Sequence, residues 1–308
     1  MSLLLRHSMI VAYSPNFVHP VPPGHKFPME KYSLLYQQLQ LEGIVSEEQF
    51  FVPESIDLAH VHRVHDPAYV EKLLSLNCSP REQRVSGFEH SQTLIDRELM
   101  IMEGTRKCAE MAVKTNTVAL NIAGGTHHAY PDRGEGFCLL NDQAIAAQWL
   151  LDQELVKKIL IVDLDVHQGN GTAVIFKDNP DVFTFSMHGE NNYPTYKEQS
   201  NLDVALNDGI YDIEYLYLLR TALDEILPKF TPDVIFYQCG VDIIESDKLG
   251  RLRVTLNGCR KRDELVFQTA KELGVPVICS MGGGYSKEIK HIIEAHANTF
   301  RAAQQILG

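Results

Sequence analysis

The 308-residue sequence has no C-x-x-C pair, no apolar run approaching a membrane span, and no excess of basic residues. Each absence narrows the field. The six cysteines, Cys78, Cys108, Cys138, Cys239, Cys259 and Cys279, are widely scattered, a pattern of reduced thiols in a cytoplasmic protein rather than a disulfide framework. Spanning a bilayer takes roughly 20 consecutive apolar residues. The opening Met1-Ser-Leu-Leu-Leu is interrupted by Arg6 and His7, too early for an export signal. Met1 to Leu3 are equally compatible with an expression scar and carry no weight in the fold reading. A net charge of −12 argues against nucleic acid held by the overall field and fits plain solubility, although an acidic protein still attracts basic peptides. Neither G-x-x-x-x-G-K-[ST] nor G-x-G-x-x-G occurs in its expected context, which demotes nucleotide binding. With no internal repeat and no low-complexity linker, residues 1–308 read as one domain.

What is present is an alternation of short apolar runs with helical patterns, in a chain that is 44% hydrophobic. Met9 to Ser14 reads as a first strand, followed by a proline-rich connection to Pro28. Helical spacing marks Lys31 to Leu41, Pro67 to Leu76 and Leu94 to Val113. Five apolar runs then follow: Thr117 to Ala123, Ile159 to Val166, Val182 to Met187, Asp233 to Gln238 and Val275 to Met281. Helical patterns at Gln143 to Leu155, Ile213 to Leu227, Arg262 to Leu273 and Lys287 to Gln305 fill most of the gaps. Continuous Val/Ile-rich strands separated by helices predict an α/β fold with a mostly parallel central sheet covered by helices on both faces.

Each of the five runs ends in Gly, His, Asp or Tyr, and ligands of open parallel sheets bind beyond the carboxyl ends of the strands. The five clusters should therefore converge. Asp163, Asp165 and His167 alternate at the end of one strand, a spacing that places them on one side of the strand and its continuation. Asp165 and His167, with Asp242 from another strand, offer a one-His, two-Asp set suited to Zn²⁺ and also to Fe²⁺. Taken alone, Asp165 is as well explained as a capping carboxylate. His127 and His128 follow Gly124-Gly125. They could act as general base and electrostatic helper, or be two surface histidines. Tyr285, after Gly282-Gly283-Gly284, could donate a hydrogen bond to an oxyanion. Phe137 and Tyr193 are candidate apolar walls, unless they merely pack on the protein body.

As a set, Gly-Gly-Thr-His-His (Gly124 to His128), Gly-Phe-Cys (Gly136 to Cys138), Asp-Leu-Asp-Val-His-Gln-Gly-Asn-Gly (Asp163 to Gly171), Gly-Val-Asp (Gly240 to Asp242) and Gly-Gly-Gly-Tyr (Gly282 to Tyr285) resemble the zinc-dependent histone deacetylase family, within the arginase and deacetylase fold. Gly240 to Gly250, Lys261 to Phe267 and Phe27 to Tyr32 look most like class IV and its bacterial relatives. The resemblance implies hydrolysis of an acyl-lysine or similar acyl-amine, with Zn²⁺ on Asp165, His167 and Asp242. It makes His128 the base and then the acid, and His127, oriented by Asp163, its electrostatic support. Tyr285 would stabilise the oxyanion, and Gly136, Phe137 and Tyr193 would line the substrate tunnel. It further implies K⁺ or Na⁺ at Asp163, Asp165, His167, Ser186 and Met187, and a second cation near Phe176, Asn179 and Val182.

The chain departs from that pattern twice. Asn170 stands where class I enzymes orient the second histidine with an aspartate, so His128 should be less basic. Met29-Glu30-Lys31 stands where other classes place an arginine linked to acetate release. Other readings are an acetylpolyamine or small-molecule amidohydrolase, which needs an acidic anchor at the mouth; an arginase-type ureohydrolase, whose second metal set would fall where His127-His128 stand; and a catalytically weak acyl-lysine binding module. Expected partners are an acylated lysine peptide, protein or small acyl-amine, with no direct nucleic acid and no membrane.

Overall fold

The computed structural model describes residues 9–308; Met1 to Leu3, with Arg6 and His7, lie outside them. Within the described residues eight strands form one sheet: β1 (Ile10–Ala12), β2 (Phe50–Phe51), β3 (Val118–Asn121), β4 (Ile159–Asp163), β5 (Val182–Gly189), β6 (Leu202–Leu206), β7 (Val234–Gln238) and β8 (Val277–Ser280). Their order is β2-β1-β3-β8-β7-β4-β5-β6. Every pairing between them is parallel. The predicted sheet is therefore found, with two additions at its edges, β2 and β6.

Among the described residues, ten α-helices pack around it: α1 (Lys31–Leu41), α2 (Leu58–Val61), α3 (Pro67–Leu74), α4 (Pro80–Ser86), α5 (Gln92–Thr115), α6 (Asp142–Asp152), α7 (Asn170–Phe176), α8 (Asp212–Ile226), α9 (Leu256–Leu273) and α10 (Ile289–Leu307). β4 shows why its sequence is apolar up to its last residue, Asp163. Ile159 and Ile161 face one core, with Ala109 and Ala112 of α5 and Ala146 and Ala147 of α6. Leu160 and Val162 face the other, with Phe267 of α9 and Phe300 of α10. A strand buried on both faces has no polar alternation to show, and each such side chain contributes about 1.5–3 kcal/mol relative to its exposed state.

Local signals set the helix ends. Thr255 accepts a hydrogen bond from Gly258 N at the start of α9, and Gly274 closes it in the left-handed region at φ 70°. Ser79 and Glu82 form a reciprocal capping box on α4. Among the described residues, no helix is long and apolar enough to cross a membrane. All six cysteines are buried and unpaired.

Candidate active site

The carboxyl ends of β3, β4, β7 and β8 meet, and their loops carry the polar clusters singled out in the sequence. After β3, the loop is fastened by Asp142, whose buried carboxylate accepts from Gly125 N (2.9 Å), Thr126 N (2.8 Å), Thr126 Oγ1 (2.8 Å), Thr105 Oγ1 (2.7 Å) and Ser280 Oγ (2.8 Å). Five donors on one carboxylate tie the loop to α5 and β8, and they fix the backbone immediately before His127 and His128.

β4 stops at Asp163, the first residue of the alternation, rather than running on to Val166. Asp165 and His167 are loop residues. Their convergence comes from hydrogen bonds rather than from a strand continuing outward: Asp165 Oδ1 accepts from His167 N at 3.0 Å and Asp165 Oδ2 from Gly283 N at 2.8 Å. Asp242, beyond β7, accepts from Val166 N at 3.0 Å. A Cβ on Gly283 would overlap the Asp242 carboxylate, so glycine is required for this close approach.

Asp165, His167 and Asp242 each offer one ligand atom, all within 4.8 Å of one another, and all three residues are buried. His167 Nδ1 lies 3.1 Å from Asp165 Oδ1 and 3.1 Å from Asp242 Oδ2. Burial opposes a charge on this imidazole, yet hydrogen bonds to Asp165 and Asp242 outweigh it and push the pKa up to about 10. Burial and the adjacent Asp165 push the Asp242 carboxyl up to about 7. In the protein alone, a proton on His167 thus stands between the two carboxylates where a cation would neutralise both. The oxygen and nitrogen donor set fits a divalent first-row metal.

The neighbouring histidines have different partners. His127 Nδ1 donates to Asp163 Oδ2 at 2.6 Å, and His128 Nδ1 to Asn170 Oδ1 at 2.6 Å. The Asn170 amide is oriented by its own donations to Glu135 Oε1 (2.6 Å) and Tyr130 Oη (3.1 Å). Its oxygen therefore faces His128, which carries its proton on Nδ1 and leaves Nε2 free as an acceptor. Burial works against a charge on His127, but Asp163 and Asp165 prevail and raise it to about 9. Burial, His127 and His167 together hold His128 well below the usual histidine range.

Tyr285 is placed by its backbone N–H, which donates to Asp247 Oδ2 at 2.6 Å. Burial, with Asp242 and Asp165 near, raises its phenol well above the ordinary value, so it remains a donor. Phe137 and Tyr193 line a mouth cavity of about 320 Å³ with Gly136, His128, His167 and Tyr285. Gly136 has φ 57°, and a Cβ there would come within 2.7 Å of His128 Cδ2. Phe137 also lies in the left-handed region, at φ 68°, held by its N–H on Ser86 O at 2.8 Å. Cys138 is buried beside it. Ser186 pairs in register with Asp163, with Met187 next along β5. Phe176, Asn179 and Val182 form turns at the other end of that strand, where Asn179 N donates to Phe176 O and Val182 N to Asn179 O.

Several supporting residues escaped the sequence reading, which gave Lys31 no role beyond the departure Met29-Glu30-Lys31. Arg262, fully buried on α9, donates to Gly240 O (2.5 Å) and Leu164 O (3.3 Å) and pairs with Asp263 at 2.8 Å. It ties down the backbone beside both carboxylate ligand candidates; removing one member of such a buried pair costs about 3–5 kcal/mol. Lys31, also buried, donates to Gly282 O at 2.7 Å; burial pushes it down to about 8 although Asp242 and Asp165 oppose the shift. A small inner cavity of about 30 Å³ is lined by Asp165, His167 and Tyr285 on one side and by Tyr32, Arg97 and Ile101 among others. Arg97 donates to Phe17 O at 2.7 Å and pairs with Glu98. No local signal marks these cations, since a buried Arg or Lys reads in sequence like a surface one.

A model of the histone deacetylase domain matches residues 25–300 of the chain. An uncharacterized protein of Picosynechococcus sp. is 43% identical over 296 residues, covering 96% of this chain and 98% of its own. Histone deacetylase 2 of Arabidopsis thaliana is 28% identical, over 87% of this chain and 72% of that protein. The acetoin utilization protein AcuC of Bacillus subtilis is likewise 28% identical, over 91% and 78%. The crystal structure of a histone deacetylase homologue from Aquifex aeolicus shares the fold, with a TM-score of 0.84 at 21% identity over 96% of this chain and 84% of that one.

Proposed function

The chain belongs to the histone deacetylase family and is a hydrolase of that family, and from that premise we propose that it removes a short acyl group from the ε-amine of lysine, or from a similar amine, with a divalent metal on Asp165, His167 and Asp242. One observation carries the reading. Three ligand candidates, two differently oriented histidines and an un-ionised phenol meet at the base of an aromatic-walled mouth.

When bound, Zn²⁺, or Fe²⁺ on the same donors, polarises the acyl carbonyl and lowers the pKa of a water. His128 Nε2 takes a proton from the attacking water and then delivers it to the departing amine, a task suited to an imidazole that is neutral beforehand. His127, charged and anchored on Asp163, supplies a positive field beside it. The Tyr285 hydroxyl donates to the oxygen that gains charge in the tetrahedral intermediate. Phe137 and Tyr193 flank the aliphatic stem of the lysine, and the small inner cavity favours acetyl over long acyl chains.

Turnover of acetyl-lysine peptides by purified protein, with and without a chelator, tests the proposal. Hydrolysis is expected to vanish on chelation and return with Zn²⁺ or Fe²⁺; activity that survives complete metal removal would overturn it. Asp242→Ala should lose metal and activity together, read by metal analysis alongside rate. Tyr285→Phe should keep the metal while kcat falls about 10²- to 10³-fold. An octanoyl-lysine peptide should be cleaved at least roughly tenfold more slowly than its acetyl counterpart, the scale of about 1.4 kcal/mol of misfit; comparable rates would refute the size limit.

A further inference from the structure

The charge around the mouth is opposite to that of the molecule. The chain carries a net −12, and the depth of the site holds Asp163, Asp165, Asp242 and Asp247. Yet the side chains lining the mouth cavity include Lys26 and Arg251 and no carboxylate. A second groove of about 290 Å³ adjoins it, sharing Lys26 and Tyr285. That groove adds Lys248 and Lys287, with Glu30 its one acidic lining residue. All four cations are exposed.

Their partners are few. Arg251 pairs with Asp208 at 3.3 Å, both side chains about half exposed. Lys26, Lys248 and Lys287 are in no salt bridge among the described residues. The deep carboxylates do not employ them either: Asp247 is satisfied by the backbone N–H groups of Tyr285, Leu249 and Gly250. Three unpaired lysines on one rim of an acidic protein constitute a local field that attracts anions.

Resting on the function proposed above, we infer that this rim selects substrates bearing a carboxylate on the amine side of the scissile amide. Four methylenes separate the acylated nitrogen of lysine from its α-carbon. With the amide at the base of the mouth, the α-carboxyl and the flanking residues would emerge by Lys26 and Arg251 of the mouth and by Lys248 and Lys287 of the groove that adjoins it. A carboxylate there gains what a basic flank loses. The same arrangement disfavours acetylpolyamines, whose remaining ammonium groups would meet the same lysines. The anion comes either from acidic residues next to the acyl-lysine or from the free α-carboxylate of a small acyl-amino acid.

The test uses three acetyl-lysine peptides differing only in flanks of two Glu, two Ser or two Lys, together with Nα-blocked ε-acetyl-lysine as free acid and as carboxamide. At low ionic strength kcat/KM should favour the Glu peptide over the Lys peptide by about 10-fold, chiefly through KM, and the margin should shrink in 0.5 M salt. In Lys26→Glu/Lys248→Glu/Lys287→Glu the ratio should invert. A parallel preference for free acid over carboxamide assigns the anion to a small molecule as well; a preference confined to the flanked peptides assigns it to a polypeptide. Equal rates for Glu and Lys peptides, or a ratio the triple variant leaves untouched, overturns the inference. Failure to cleave even the Ser peptide, by metal-replete protein, instead refutes the proposed reaction.

Discussion

Two dyads stand side by side at the strand ends, one built on β3 and β4 and the other on β3 and α7. His127 meets Asp163 and His128 meets Asn170, each at 2.6 Å through Nδ1. Geometry is thus the same, and only the charge of the partner differs. A carboxylate raises the first imidazole to about 9, whereas an amide leaves burial free to hold the second well below the usual range. One chain segment thereby presents a charged and a neutral imidazole on successive residues. The difference also refines the expectation drawn from Asn170: the amide adds no charge itself, but it is backed by the Glu135 carboxylate, 2.6 Å from its nitrogen.

Substitutions can break this asymmetry in graded steps. His128→Ala removes the proton carrier and should lower kcat/KM by about 10²- to 10⁴-fold with metal content unchanged; near-normal turnover would reject it as the base. Asp163→Asn leaves an acceptor on His127 but takes away the charge that keeps it protonated. A loss of about 10- to 100-fold is expected, the scale of one charge-assisted hydrogen bond of about 1.5–3 kcal/mol, and an unchanged rate would mean the His127 charge is idle.

Asn170→Asp makes the two dyads alike. The new carboxylate favours the charged form of His128, so its pKa rises by roughly one unit or more. A base works only when unprotonated; the acidic limb of the kcat/KM profile should therefore move to higher pH, and a limb that stays in place would contradict the assignment. Glu135→Gln should act in the opposite sense and more weakly, moving that limb to lower pH by roughly a few tenths of a unit, because its charge reaches His128 only across the amide. A shift as large as that of Asn170→Asp would show that Glu135 governs more than the amide's orientation.

The sheet was legible because central parallel strands are apolar without interruption, as β4 and β7 are, and because their ends break abruptly into Gly, His and Asp. The edges were not. β2 has two residues, and β6 is mostly part-exposed with Asp203 second in it, so neither shows a buried run. In the site, the histidine, aspartate and glycine–tyrosine motifs stood out in the sequence, and the structure brings their residues together. Those that support them were missed. Asp142 lies at the start of an ordinary helix, and Arg262 and Arg97 sit within helices whose polar positions look solvated. Their role depends on partners up to 138 residues away in the chain, as with Asp142 and Ser280, and spacing along one sequence cannot reveal such pairs.

The buried bond from Lys31 to Gly282 joins groups 251 residues apart. Translation at about 5–20 residues per second separates their appearance by roughly 10–50 s. Throughout that interval the lysine has no carbonyl to receive it, and its ammonium remains in water while α1 lacks a docking place. Since Tyr285 also follows Gly282, the ribosome must pass nearly the whole pocket-forming sequence before the pocket can close around its own residues. A folded pocket is consequently available only to a chain synthesised through Tyr285, and shorter nascent fragments lack part of it.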